Sequence, residues 1–165
     1  MSNMIRGKVH KFGDNINTDL ISPAQYIGLA DEIMIAHAME GADPDFPKKV
    51  RAGDIMVAGK NFGSGSSRET APMIIKGSGI AVVIAEFFAR IFYRNAINIG
   101  LSVLTTNSVS EINDGDELEV DPIAGTIRNI TTGKSYQCTK YPENIMKLVN
   151  DGGLINHLRK QLKSK

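Results

Sequence analysis

Apolar positions along this chain fall into short runs and periodic clusters separated by breaks rich in Gly, Asn and Asp. Ile5 to Phe12 reads as a first strand, and Gly13 to Gln25, with its Asp, Asn and Ser residues and Pro23, as a loop. Asp31 can cap a helix that carries Ile33, Met34, Ile35, Ala38 and Met39 and stops at Gly41. Asp43 to Pro47 is turn-rich. Ile55 to Ala58 is a short strand that delivers the chain into a glycine loop, and a helix from about Ser67 to Lys76 ends at Gly77. Ile80 to Ala85 is a buried strand by length and β-branching. Phe87 to Ile97 is a helix with Phe88, Ile91, Phe92 and Asn95 on related faces, and Leu101 to Leu104 is a further strand. This β–α–β–α–β middle predicts parallel strands covered by helices.

The pattern then changes period. Glu117 to Val120, Thr126 to Ile130 and Tyr136 to Thr139 alternate around turns at Asn113–Asp116, Asp121–Gly125 and Thr132–Gly133, which predicts a small antiparallel unit. Pro142 to Val149 and Leu154 to Leu162 read as closing helices around Gly152 and Gly153. The expectation is a single α/β domain over residues 1–165, with parallel central strands, flanking helices and a β-rich appendage.

Composition narrows the chemistry. Nineteen basic against eighteen acidic residues give no net field to draw in nucleic acid or a membrane surface. The longest apolar run, Ile80 to Ala85, is too short to span a bilayer, and the first residues carry no signal-peptide core. A single cysteine, Cys138, allows no internal disulfide, so a cytoplasmic protein is expected. That one thiol is also far short of the ligands of an iron–sulfur cluster, and His10, His37 and His157 lack metal-ligand spacing. No metal site is expected in this chain. His37, inside a predicted helix, is most simply a packed or surface residue.

The richest chemistry lies in Gly59-Lys-Asn-Phe-Gly-Ser-Gly-Ser-Ser-Arg-Glu-Thr70. Gly63 and Gly65 permit tight turns, and Ser66, Ser67 and Arg68 follow where a helix could begin. A hydroxyl, free backbone N–H groups and a fixed cation then meet at one point, which suits an anionic substrate. An ordinary helix start is the competing reading, with Ser66-x-x-Glu69 as a capping box and Pro72 in an early turn. Arg68 does not fit it, because a cation near a helix N-terminus opposes the macrodipole. Walker A, dinucleotide-binding and α/β-hydrolase patterns all fail here. Upstream, an Asx-turn would account for Asn15-Ile16-Asn17-Thr18-Asp19 without any catalytic role.

Four ordered motifs, Asn17-Thr18-Asp19, Gly59-Lys60-Asn61-Phe62-Gly63, Gly65-Ser66-Ser67-Arg68-Glu69 and Phe88-Ala89-Arg90-Ile91, give the chain a resemblance over nearly its whole length. It resembles the small subunits of the isopropylmalate dehydratase and homoaconitase group, the detached swivel domain of aconitase. The resemblance implies a swivelling β/β/α fold and a hydro-lyase active only with a large subunit. That partner would carry a [4Fe–4S] cluster, the Lewis acid for the departing hydroxide. Carried over motif by motif, Ser66 becomes the base that removes a proton beside a carboxylate. Arg68 binds a substrate carboxylate, Ser67 assists with its N–H or hydroxyl beside Gly65, and Asp19 positions groups or relays a proton. Two departures are Ser64 and Thr70, where many relatives have cysteine and histidine; neither is needed for these roles. Arg90 and Arg94 lie one turn apart and read as surface or subunit-contact residues.

The resemblance also implies a substrate-selecting stretch, here Tyr26-Ile27-Gly28-Leu29. Tricarboxylate enzymes of the group place arginine at the position aligned with Gly28, and without it a third carboxylate would be buried unpaired. Gly28 between Ile27 and Leu29 suits a short apolar arm. The expected reaction is therefore that of 3-isopropylmalate in leucine biosynthesis, with 2,3-dimethylmalate, methylmalate or citraconate, and homoaconitate as alternatives. Two readings of other classes are a non-catalytic anion-binding module and an RNA-binding protein; balanced charge and the absence of tryptophan argue against the second.

Overall fold

The computed structural model describes residues 4–66 and 68–164. Four short strands rich in Val and Ile, β1 (Ile5–Lys11), β2 (Ile55–Val57), β3 (Val82–Ala85) and β4 (Ser102–Thr105), lie parallel in the order β4-β3-β2-β1. β2 and β3 are buried along their whole length, as expected of strands covered on both faces. Helices α1 (Thr18–Ile21), α2 (Asp31–Ala36) and α3 (Phe46–Lys49) connect β1 to β2. Helix α4 (Thr70–Gly77) then leads to β3, and α5 (Arg90–Asn98) to β4. Ile55, Ile74, Ile75, Ile84, Leu104 and Phe62 are among the largest side chains fully removed from water at the centre.

The antiparallel strands β5 (Glu117–Asp121), β6 (Thr126–Asn129) and β7 (Ser135–Gln137) are not an appendage. β5 pairs antiparallel with the free side of β1, so all seven strands form one sheet in the order β4-β3-β2-β1-β5-β6-β7. Past β7 the chain curls back to the opposite edge. Thr139 N–H donates to Thr105 O, and Tyr141 reaches the backbone of β4, accepting from Val103 N–H and donating to Val103 O, each at 2.6 Å. Burial pushes the Tyr141 phenol far above its ordinary pKa, so it stays a donor. The edge of β4 is thereby capped against pairing with another chain. Helices α6 (Glu143–Asn150) and α7 (Leu154–Lys163) complete the chain, with α6 packed on α5.

Several boundaries differ from the sequence reading for identifiable reasons. The segment read as a loop after β1 contains α1, whose N-terminus is capped by Asn17 accepting from Leu20 N–H at 2.9 Å. The turn-rich Asp43–Pro47 opens into α3, with Pro47 in its first turn. Helix α5 begins at Arg90 rather than Phe87 because Phe62 and Phe88 form a parallel bridge. Phe62 N–H donates to Phe87 O and Ala89 N–H to Phe62 O, which keeps that backbone extended. Helix α4 begins at Thr70, three residues later than expected.

Gly63 is where the loop presses hardest on an aromatic side chain of the core. Its φ is +84°, and a Cβ there would lie 2.3 Å from the ring of Phe92. Gly63→Ala is expected to cost about 2–4 kcal/mol from left-handed backbone strain plus overpacking, read by urea unfolding followed by circular dichroism.

Candidate active site

Two loops leave the C-terminal ends of β1 and β2, and backbone pairing joins them. Gly59 N–H donates to Gly13 O, Asn15 N–H to Lys60 O, Gly63 N–H to Ile16 O at 2.7 Å, and Thr18 N–H to Ser64 O at 2.8 Å. Asp14 Oδ1 accepts from Lys60 N–H at 2.7 Å, and a Cβ on Gly59 would fall 1.8 Å from that oxygen. Asn15 and Asn61 both take positive φ, and Asn61 donates from its amide to the side-chain oxygen of Asn15. The loops therefore continue the β1/β2 ladder beyond the sheet, at the strand ends where α/β folds gather their ligands.

Side chains cross-link the far end of this pairing. Thr18, itself buried, places Oγ1 3.1 Å from Ser66 Oγ. One residue on, Asp19 accepts from Arg68 across 3.2 Å, with 70% of the Asp19 side chain and 32% of the Arg68 side chain exposed. Gly65, at φ +108°, fits because a Cβ would lie 3.1 Å from Thr18 Oγ1. The capping-box reading fails: Glu69 is the N-cap residue of α4 and makes no side-chain cap bond, and the Ser66 hydroxyl meets Thr18 instead. The Asx reading holds for Asn17, which caps α1, but not for Asp19, whose carboxylate faces Arg68. Ser67, expected to assist in binding, lies outside the described residues.

Ile27, Gly28 and Leu29 follow α1 in the chain. Ile27 at φ −67°, ψ 133° and Gly28 at φ +87°, closed by Leu29 N–H to Tyr26 O at 3.2 Å, make Tyr26–Leu29 a type II turn with glycine at its left-handed position. Ile27 is half-buried and Leu29 is 47% exposed. Sequence reasoning missed what holds this turn. The Tyr26 ring stacks on His37 with centroids 3.7 Å apart and planes within 5°, and His37 Nδ1–H donates to Glu40. The only hint in the sequence is the presence of His37 and Glu40 three residues apart, too common a pattern to stand out.

These residues belong to a known group. The aconitase C-terminal domain family matches residues 4–108, which span β1 through β4 and both loops. The chain belongs to that family. The 3-isopropylmalate dehydratase small subunit of Nautilia profundicola is 54% identical, with 98% of each chain covered. The isopropylmalate/citramalate isomerase small subunit of Methanocaldococcus jannaschii is 53% identical over the same shares, and the methanogen homoaconitase small subunit of Methanothermobacter thermautotrophicus is 49% identical, covering 98% of this chain and 95% of its own. A crystal structure of 3-isopropylmalate dehydratase from Methanocaldococcus jannaschii superposes with a TM-score of 0.91 at 45% identity, covering 98% of each chain. The chain is a hydro-lyase small subunit of the aconitase family, and the fold expected from the motifs is the fold observed.

Among the described residues no three His, Cys, Asp or Glu side chains converge as a metal-ligand set. The three histidines are each engaged singly by a carboxylate: His10 by Asp54, His37 by Glu40 and His157 by Asp151. Burial and the charge of Asp121 push the Cys138 thiol up to about 11, which suits a packed side chain and not a thiolate ligand. With a single cysteine, and that one packed as a thiol, the described residues do not fit an iron–sulfur cluster.

Two outcomes follow. Cys138 is expected to react with iodoacetamide at pH 7.5 about a hundredfold more slowly than a free thiol, as its thiolate fraction dictates; the alkylation rate against pH checks this. Asp19→Asn is expected to change unfolding free energy by less than about 0.5 kcal/mol, because the pair with Arg68 is exposed and screened. Urea titration of both proteins tests it.

Proposed function

We propose that this chain supplies the proton-transferring and carboxylate-binding half of a hydro-lyase, completed by a large subunit that carries a [4Fe–4S] cluster. The observation that supports it best is the pair of cross-links between the loops: a serine hydroxyl freed from capping and seated against Thr18, beside an arginine aimed by Asp19. Ser66, as an alkoxide stabilised by the neighbouring guanidinium, takes the proton from the carbon next to a substrate carboxylate, becomes the hydroxyl, and returns that proton in the rehydration step. Arg68 pairs with that carboxylate, where negative charge gathers as the proton leaves, and a bidentate guanidinium contact both holds and stabilises it. Ser67 and the Gly65 backbone assist, and Asp19 keeps the guanidinium oriented while substrate is absent. Ser66 is exposed in this chain, and a hydroxyl in contact with water is a poor base. Covering by the large subunit removes that water and strengthens each of these contacts. The cluster's Lewis acidity belongs to the partner.

The favoured substrate is 3-isopropylmalate, interconverted with 2-isopropylmalate through isopropylmaleate in the cytoplasm for leucine biosynthesis. Ile27 and Leu29 offer an apolar lining for the branched arm, and Gly28 brings no cation for a third carboxylate. A methyl-armed substrate is the second reading, since a relative of 53% identity is named for both isopropylmalate and citramalate.

The test is co-expression with the large subunit, anaerobic cluster reconstitution, and hydration assays on isopropylmaleate, dimethylmaleate, citraconate and homoaconitate. Rapid hydration of an apolar diacid is expected, with Ser66→Ala lowering kcat by about 10³-fold, within the range for loss of a general base. Homoaconitate turned over as fast as isopropylmaleate would overturn the substrate assignment. Hydration of none by a fully loaded complex would leave an anion-binding module.

A further inference from the structure

We infer that His37 is a positioning residue for substrate selection: stacked under Tyr26 and tied to Glu40, it fixes the type II turn that presents Ile27 and Leu29. This rests on the proposed reading of that turn as the wall against the substrate's variable arm.

Backbone bonds from Tyr26 N–H to Pro23 O and from Ile27 N–H to Ala24 O hold the entry to the turn. Its exit is closed by one, Leu29 N–H to Tyr26 O, and Gly28 and Leu29 are exposed. A four-residue turn on the surface opens and closes with low free energy unless its first residue is anchored. Tyr26 is that first residue, and its ring lies flat on His37. The imidazole cannot swing away, because Nδ1–H donates to Glu40 and the backbone around it is rooted in the core. His37 N–H donates to Met34 O, the next two residues, Ala38 and Met39, are fully buried, and Met39 N–H donates to Ile21 O at the end of α1.

The same anchor is continuous with the catalytic loops. Helix α2, which His37 ends, packs on α4 closely enough that a Cβ on Gly77 would lie 2.4 Å from Ile35 Cδ1. Helix α4 starts two residues after Arg68, and α1 carries Asp19. The position of the apolar turn is thus referenced through rigid elements to the carboxylate-binding arginine. An arm of the wrong length then meets a wall that does not yield, and selectivity arises from the fixed distance as well as from apolar chemistry.

The experiment has two arms. In the isolated chain, His37→Ala is expected to raise hydrogen exchange at the Leu29 amide about tenfold, while His37→Phe, which keeps a stacking ring, restores slow exchange. In the reconstituted complex, His37→Ala is expected to raise KM for isopropylmaleate at least fivefold more than KM for citraconate, with kcat changed less than twofold; His37→Phe restores the ratio. Glu40→Ala, which leaves the ring but frees it, provides a second variant with the same direction if His37→Ala does not fold. Unchanged Leu29 exchange in these variants overturns the anchor. Loosened exchange with an unchanged KM ratio, or a loss of kcat alike for both substrates, overturns its role in selection. If the wild-type complex hydrates none of the panel, the proposed function fails first, and the exchange arm separates that failure from a failure of the stack.

Discussion

Everything at the candidate site depends on backbone pairing between two loops that leave adjacent parallel strands. A parallel ladder ordinarily ends where its strands end, and the loops beyond splay apart. Here Gly13, Asn15, Ile16 and Thr18 continue to exchange hydrogen bonds with Gly59, Lys60, Gly63 and Ser64 for a further turn of chain. The cost is conformational: two asparagines and Gly63 hold positive φ, and Gly59 must lack a side chain so that the Asp14 carboxylate can reach Lys60 N–H. The gain is that Ser66 and Arg68, on one loop, are set by Thr18 and Asp19 on the other. Hydroxyl and guanidinium thus inherit the rigidity of the sheet, which loops seldom offer.

Packing explains why that rigidity survives on an exposed surface. Phe62, next to Gly63, is fully buried and meets Phe88 and Phe92 edge-on, with centroids 5.8 and 5.2 Å away. The bridge from Phe62 to Phe88 links the β2 loop to the start of α5, so three consecutive β–α connections are clamped at one end of the sheet. At the other limit, Tyr141 and Thr139 close the far edge against β4 and curl the sheet on itself. The polar residues therefore sit on a frame held at both edges.

Much of this was legible from the order of residues, and the exceptions have physical causes. The buried parallel strands declared themselves through Val and Ile runs, because strands covered on both faces need no polar alternation. The motif around Ser66 was readable as chemistry, yet local sequence could not decide between a cap and a catalytic hydroxyl. What takes the hydroxyl away from capping is Thr18, forty-eight residues away in the chain. The start of α5 was misplaced because Phe88 has helix-compatible periodicity, while a long-range bridge holds it extended. The pairing of β5 with β1 was invisible for the same reason: alternation reveals a strand but not its neighbour. The stack of Tyr26 on His37 left no trace at all, since neither residue type nor their spacing is unusual.

The type II turn at Tyr26–Leu29 restricts which residues can follow Ile27. Position 28 is held at φ +87°, where a residue with a β-carbon is strained by roughly 1–2 kcal/mol. Open space surrounds the position, since a β-carbon built there meets no atom within 4 Å. Backbone conformation alone, and not crowding, therefore favours glycine, and any side chain placed at 28 carries the same strain whatever its size or charge.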